Sequence, residues 1–201
     1  PKEYKASEVP SEDNLKKAAE LINKAKRPMV ISGGGVIISK ASDELIAFAR
    51  KLRCPVATTL MGIGSFPYSA ESYTGMHGTK ASNMGVTNCD LLIAIGMRFS
   101  DRVTSSVKEF AKGVKILHID LDPAEINKNV TVDSELIGDA KLTLKALTPL
   151  VKEREAGEWM EQIKGWKNEF PYQDDETSQK LNPQFVLEDI YEKTAGEAIV
   201  T

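Results

Sequence analysis

The chain has 201 residues, 41% of them hydrophobic and 27% charged, with a formal net charge of −3. Its charges are interspersed, so there is no basic field for nucleic acid or an anionic membrane surface, and its short apolar runs fall far below the roughly 18 residues that span a bilayer. Cys54 and Cys89 stand apart without Cys-x-x-Cys spacing, His77 and His118 have no cysteine partners for zinc, and no secretory leader is legible; buried thiols and a cytoplasmic location are expected.

Residues 1–10 are polar and carry Pro1 and Pro10, as a linker would. Ser11 is a natural N-cap, and Leu15, Ala18, Ala19, Ile22 and Ala25 recur at helical spacing, which predicts a helix that Pro28 stops. Met29–Ser32 reads as a buried strand running into Gly33-Gly34-Gly35. Ala41, Leu45, Phe48, Ala49 and Leu52 predict a second helix, and Pro55–Thr59 the next strand. Thr74–Thr79 reads as a loop entering a helix near residues 80–88. Leu91–Ile95 is a strand followed by Gly96-Met97-Arg98-Phe99-Ser100-Asp101-Arg102. A short helix over Ser105–Lys112, a strand over Lys115–Ile119 and a weaker one over Val132–Ile137 come next. Gly138-Asp139 then precedes a helix with Leu142, Ala146, Leu147 and Leu150.

Strands alternating with helices, without hairpin turns, predict an α/β fold: a doubly wound, mainly parallel sheet flanked by helices on both faces, over residues 11–170. Trp159, Ile163, Trp166 and Phe170 form an apolar stripe on a charged helix, expected to pack against its own domain. Residues 171–182 read as a second linker. In residues 183–201, Asn182 would cap a helix with Pro183 at its first position, followed by a strand begun at Ala198 that breaks off at Thr201.

Candidate chemistry gathers at the strand ends, where open α/β sheets bind ligands. Arg98 and Arg102 beside Gly96 and Asp101 suit a phosphorylated ligand, since a guanidinium fork matches phosphate oxygens; the alternative is an Arg–Asp pair on a solvated turn. Gly33-Gly34-Gly35 after a strand allows close approach of a phosphate, as would any glycine turn. A nicotinamide fingerprint is disfavoured: Ile38 occupies the third glycine position, and Arg53-Cys54-Pro55 the downstream acidic slot. Asp120 and Asp139 each read either as a ribose ligand or as a helix cap, and Asp122 as a cap. His77 has no adjacent base or nucleophile, and no catalytic triad or acid–base pair is legible.

Five stretches in order, Pro28–Gly35, Thr59–Gly64, Gly75–Gly78, Asp90–Arg102 and His118–Ile126, resemble the central domain of the acetolactate synthase (acetohydroxyacid synthase) large subunits, which are thiamine-diphosphate-dependent enzymes. The likeness is strongest over residues 15–150. It implies that FAD lies extended across the strand ends, with a largely structural role because the overall reaction involves no net redox change. Gly33, Gly34 and Gly35 would approach the cofactor, and Thr59 and Leu60 would lie near its ADP half. Met76, His77 and Gly78 would line the flavin side. Gly96, Arg98, Asp101 and Arg102 would hold the phosphates and ribityl chain, and Asp120, Leu121 and Asp139 would lie near the adenosine. Arg102 and Met76 would also face a substrate channel. Ser100 stands where many members carry aspartate.

By the same resemblance, the catalytic glutamate and the Gly-Asp-Gly motif for thiamine diphosphate and magnesium belong to domains outside this stretch, so no catalytic or metal residue is assigned here. The implied reaction condenses two pyruvates, or pyruvate and 2-oxobutanoate, in branched-chain amino acid biosynthesis. The implied partners are the remaining domains of the large subunit, a second copy in a dimer or tetramer, and a regulatory small subunit. Two other readings stay open: the central domain of a related carboligase or decarboxylase, and a non-catalytic module binding ADP or NAD.

Overall fold

The computed structural model describes residues 9–155, 157–170 and 183–200. They fall into two compact units, one ending at Glu169 and the other starting at Phe170.

The first unit is built on six parallel strands in the order β3-β2-β1-β4-β5-β6: β1 (Pro28–Ser32), β2 (Val56–Thr58), β3 (Tyr73–Met76), β4 (Leu91–Ile95), β5 (Lys115–Asp120) and β6 (Ser134–Ile137). Every residue of β1 and β4 is buried, as expected of central strands covered on both faces. Successive residues point to opposite sides, so Val30, Ile93, Leu117 and Ile119 join one core, and Met29, Ile31, Leu92 and Ala94 another. The first core is closed by α1 (Glu12–Lys24), α3 (Ser42–Leu52) and α6 (Ala140–Leu147). The second is closed by α4 (Lys80–Asn88) and α7 (Glu158–Glu169). The doubly wound α/β expectation holds, and the sheet is wholly parallel.

Local chemistry explains the helix ends. Ser11 Oγ accepts from Asn14 N and starts α1; Asp139 Oδ1 accepts from Leu142 N and starts α6. Arg53, left-handed at φ +43°, closes α3 before Cys54 and Pro55 enter β2. Trp159 buries its ring and donates its indole N–H to Pro28 O at 2.9 Å, which ties α7 to the start of β1.

Four expectations need correction. Thr74–Met76 lies in an edge strand rather than a loop, disguised by an irregular register and by Gly75 at φ +93°. Residues 105–112 form turns, because Ser105 (φ +51°) and Ala111 (φ +47°) leave the helical basin; the helix here is the short α5 (Asp101–Thr104). Phe170 lies beyond the end of α7 and is partly exposed, while Trp159, Ile163 and Trp166 pack as the stripe predicted. Residues 198–200 form no strand. The triglycine also opens a helical turn, α2 (Gly34–Ile38), that periodicity did not reveal.

In the second unit, α8 (Pro183–Thr194) begins at Pro183 as expected; residues 1–8 and 171–182, and with them the linkers and the Asn182 cap, lie outside the described residues. No helix among the described residues is long and apolar enough to cross a membrane.

Candidate functional site

The strand registers align Ser32 with Thr58 and Ile95, Thr58 with Met76, and Ile95 with Ile119, which draws one line along the carboxyl edge of the sheet. The candidate cofactor-binding residues lie at or just beyond that line. The order in which successive strands are added reverses between the parallel neighbours β1 and β4, whose carboxyl ends open the switch-point crevice that ligands use in such sheets.

At that point two turns touch. Gly33 N donates to Ile95 O and Gly35 N to Gly96 O, both at 2.9 Å. Gly96 adopts φ +57° and sends its own N–H to Ile119 O at 2.8 Å. A Cβ on Gly33 would fall against Gly96 O and 2.5 Å from Met97 Cβ, and one on Gly35 would fall 2.7 Å from Gly96 Cα. These two glycines therefore let the β1 and β4 turns interlock. Gly34 differs, because a Cβ there meets nothing closer than Met61 Cβ at 3.2 Å and Met61 O at 3.4 Å.

Beyond Gly96 the chain alternates. Met97 and Phe99 are buried in the second core, whereas Arg98, Asp101 and Arg102 are exposed. That alternation turns the Arg98 guanidinium toward solvent at the crevice mouth, and Arg102 is exposed on α5. Arg98 Nε lies 3.8 Å from Glu125 Oε1, which also takes Lys128 Nζ at 2.8 Å. The Arg98 side chain is 76% exposed, so this pair is weak and leaves the guanidinium free to turn to an anion. Leu60, Met61, Ile63, Met76 and Leu121 are exposed along the same edge and offer apolar surface to flat rings.

The aspartates divide. Asp139 acts as the α6 cap, and Asp122 caps the turn at Pro123–Glu125 by accepting from Ala124 N. That leaves Asp120 without a capping role: its Oδ1 accepts from Asp122 N at 2.9 Å, and Oδ2 lies 3.7 Å from His118 Nε2. Burial raises the Asp120 carboxyl above its usual range, against the Asp122 amide and His118. His118 is fully buried and held below its usual pKa by that burial, against Met97 O, Asp120 and Glu125. A neutral imidazole makes this contact something other than an ion pair. His77 is displaced in the same direction by burial, against its bond to Val103 O.

Three contributors escaped the sequence reading. Glu125 lies 3.8 Å from Arg98, Asn129 Nδ2 donates to Phe99 O at 2.8 Å, and His118 bonds Met97 O at 2.9 Å. Glu125 sits inside a motif stretch already quoted; nothing in one sequence marks Asn129.

A cavity of about 450 Å³ lies at the opposite, amino-terminal edge, lined by Arg27, Arg53, Arg154 and Trp159 among others. Its arginines are engaged on backbone carbonyls: Arg154 on Ile22 and Ala25, Arg53 on Arg154, Arg27 on Asn88. It is a seam between α1, α3 and the segment entering α7. Among the described residues no cluster of three or more His, Cys, Asp or Glu could hold a metal.

Residues 15–147 match the model of the thiamine pyrophosphate enzyme central domain. The chain belongs to that family. It is 47% identical over 197 residues to a probable acetolactate synthase large subunit of Methanocaldococcus jannaschii, covering 94% of this chain and 33% of the relative. It is 42% identical over 205 residues to the acetolactate synthase large subunit of Corynebacterium glutamicum, covering 98% and 33%. A putative thiamin diphosphate-dependent enzyme from Mycobacterium smegmatis superimposes with a TM-score of 0.62 at 28% identity, over 77% of this chain and 30% of that one. The chain thus spans about a third of the length of the curated relatives it matches.

Proposed function

We propose that this domain holds FAD extended along the carboxyl edge of its sheet, and that it serves an acetolactate synthase. Such an enzyme joins two pyruvates, or pyruvate and 2-oxobutanoate, for branched-chain amino acid biosynthesis in the cytoplasm. The observation that carries the reading is the outward pair Arg98 and Arg102, beside the interlocked Gly33–Gly35 and Gly96 turns at the switch point. The chain's residues fit the cofactor. Two exposed guanidiniums match a diphosphate, Asp120 offers a partly buried carboxylate to ribose hydroxyls, and Leu60, Met76 and Leu121 offer apolar surface.

In this reading Arg98 and Arg102 neutralise the phosphates, Asp101 lies by the phosphates and ribityl chain, Gly34 and Thr59 bring backbone close to the ADP half, and Gly78 lines the flavin side. Thiamine diphosphate with Mg²⁺, bound by other domains, supplies the electron sink for carbon–carbon bond formation. The domain orients cofactor and substrate channel, the latter through Met76 and Arg102. Residues 183–201 begin the next, thiamine-diphosphate-binding domain, and further partners are a second copy of the subunit and a regulatory subunit.

The test mixes the 201-residue chain with FAD or ADP at low salt and follows flavin fluorescence and thermal stability. FAD is expected to be retained, with quenched or shifted emission and a higher melting temperature, and Arg98→Gln with Arg102→Gln to lose that gain. Stabilisation by ADP with no additional effect of FAD would replace this reading by a nucleotide-binding module.

A further inference from the structure

The segment Gly96–Thr104 carries both arginines, and its only regular structure is the single turn α5, so side chains and a neighbouring turn must help to hold its backbone. Four of its carbonyls are held from four separate places. Gly96 O accepts from Gly35 N at 2.9 Å, Met97 O bonds His118 Nε2 at 2.9 Å, Phe99 O accepts from Asn129 Nδ2 at 2.8 Å, and Val103 O bonds His77 Nε2 at 2.9 Å. A carbonyl only accepts, so each imidazole carries its proton on Nε2. The Nδ1 atoms of His77 and His118 are buried and have no partner among the described residues.

The two rings are also linked beneath the segment. His118 meets Phe99 edge-on at 4.9 Å between centroids, Phe99 meets Phe110 at 5.9 Å, and Phe110 meets His77 at 6.0 Å. One aromatic row therefore runs from β5 to the end of β3, with a histidine at each end bonded to the segment above it.

We propose that His77 and His118 are positioning residues: they clamp the two ends of the Met97–Val103 backbone and so set where Arg98 and Arg102 present their guanidiniums. The inference rests on the dinucleotide reading of that segment. It also assigns His77 a role apart from touching the ligand, since its Nε2 is committed to Val103 O.

Glutamine and asparagine separate clamping from mere core filling. A glutamine amide reaches the place of Nε2 and can donate to the same carbonyl, whereas an asparagine amide reaches only the place of Nδ1. The experiment compares His77→Gln, His77→Asn, His118→Gln and His118→Asn in the 201-residue chain. Two quantities are read: FAD affinity, and amide hydrogen exchange over residues 96–104 without ligand. The asparagine variants are expected to weaken FAD by about tenfold and to speed exchange at their own end of the segment, with glutamine restoring both. Should His118→Asn fail to fold, the less buried His77 pair carries the comparison. If wild type binds no FAD, the dinucleotide reading fails while exchange still tests the clamp. Exchange in the segment that is the same in the asparagine and glutamine variants overturns the clamp. Equal FAD affinity in the two, with exchange changed, overturns its positioning role.

Discussion

Gly33 and Gly96 meet at the switch point with room for hydrogen alone: a Cβ on Gly33 would run into the Gly96 carbonyl oxygen and lie 2.7 Å from Met97 Cα. Backbone lies on both sides of the contact, so no rotamer change can relieve it.

Gly33→Ala is therefore expected to destabilise the fold by about 3 kcal/mol or more, since overpacking of this kind forces backbone to move. Gly34→Ala faces the exposed Met61 side chain and begins a helix, so its effect should stay within about 1 kcal/mol. Urea unfolding of the two variants checks the contrast. Equal stabilities would mean that the turns do not interlock.

Asp120 and Asp139, indistinguishable in the sequence, should separate in their readouts. Asp139→Ala removes the α6 cap and is expected to lower stability by about 1 kcal/mol. Asp120→Asn keeps an oxygen for the Asp122 amide, so stability should hold while FAD affinity falls. Denaturation midpoints and flavin titrations on both variants test this. A loss of flavin affinity confined to Asp139→Ala would reverse the assignment.

Acid should loosen the molecule through its histidines. Burial holds His77 and His118 below 6.5 in the folded state, so the unfolded chain takes up protons first as pH falls. Their contribution is complete above about 6.5 and declines from there down to the folded pKa values. Asp120, raised above 3.8, acts in the opposite sense at lower pH, because there the folded state binds the proton first. Melting temperatures from about pH 8 to about pH 5 should fall in wild type, and fall less in His77→Gln. A flat profile in wild type contradicts the neutral, buried tautomers.

Both thiols should be inert in the native state. Burial pushes Cys54 and Cys89 up to about 12, and each is almost fully shielded from solvent. A thiol reagent at mildly alkaline pH is expected to label neither until denaturant is added, when both react. Rapid labelling without denaturant would show that β2 or the end of α4 opens locally.

The order of elements was readable because one-dimensional signals carry it: the Ser11 and Asp139 caps, the all-apolar Leu91–Ile95, and the helical spacing of Leu45, Phe48, Ala49 and Leu52. The same reading failed for β3, where only Tyr73 and Thr74 are buried and Gly75 breaks the alternation. It failed again at Ser105–Lys112, where two residues adopt positive φ with no glycine to announce it.

The sequence by itself determined a doubly wound α/β domain with its chemistry at the strand ends, because burial periodicity, caps and glycine turns are local and leave their pattern in residue order. Only the tertiary structure decided what those residues do for one another. It packed Gly33 and Gly35 onto Gly96, made Asp139 a cap while leaving Asp120 beside His118, and set His77 and His118 on the two ends of the arginine segment. The physical reason is range. A hydrogen bond or steric contact between residues far apart in sequence depends on sheet register and backbone angle, and neither is written in the identity of the residues that meet.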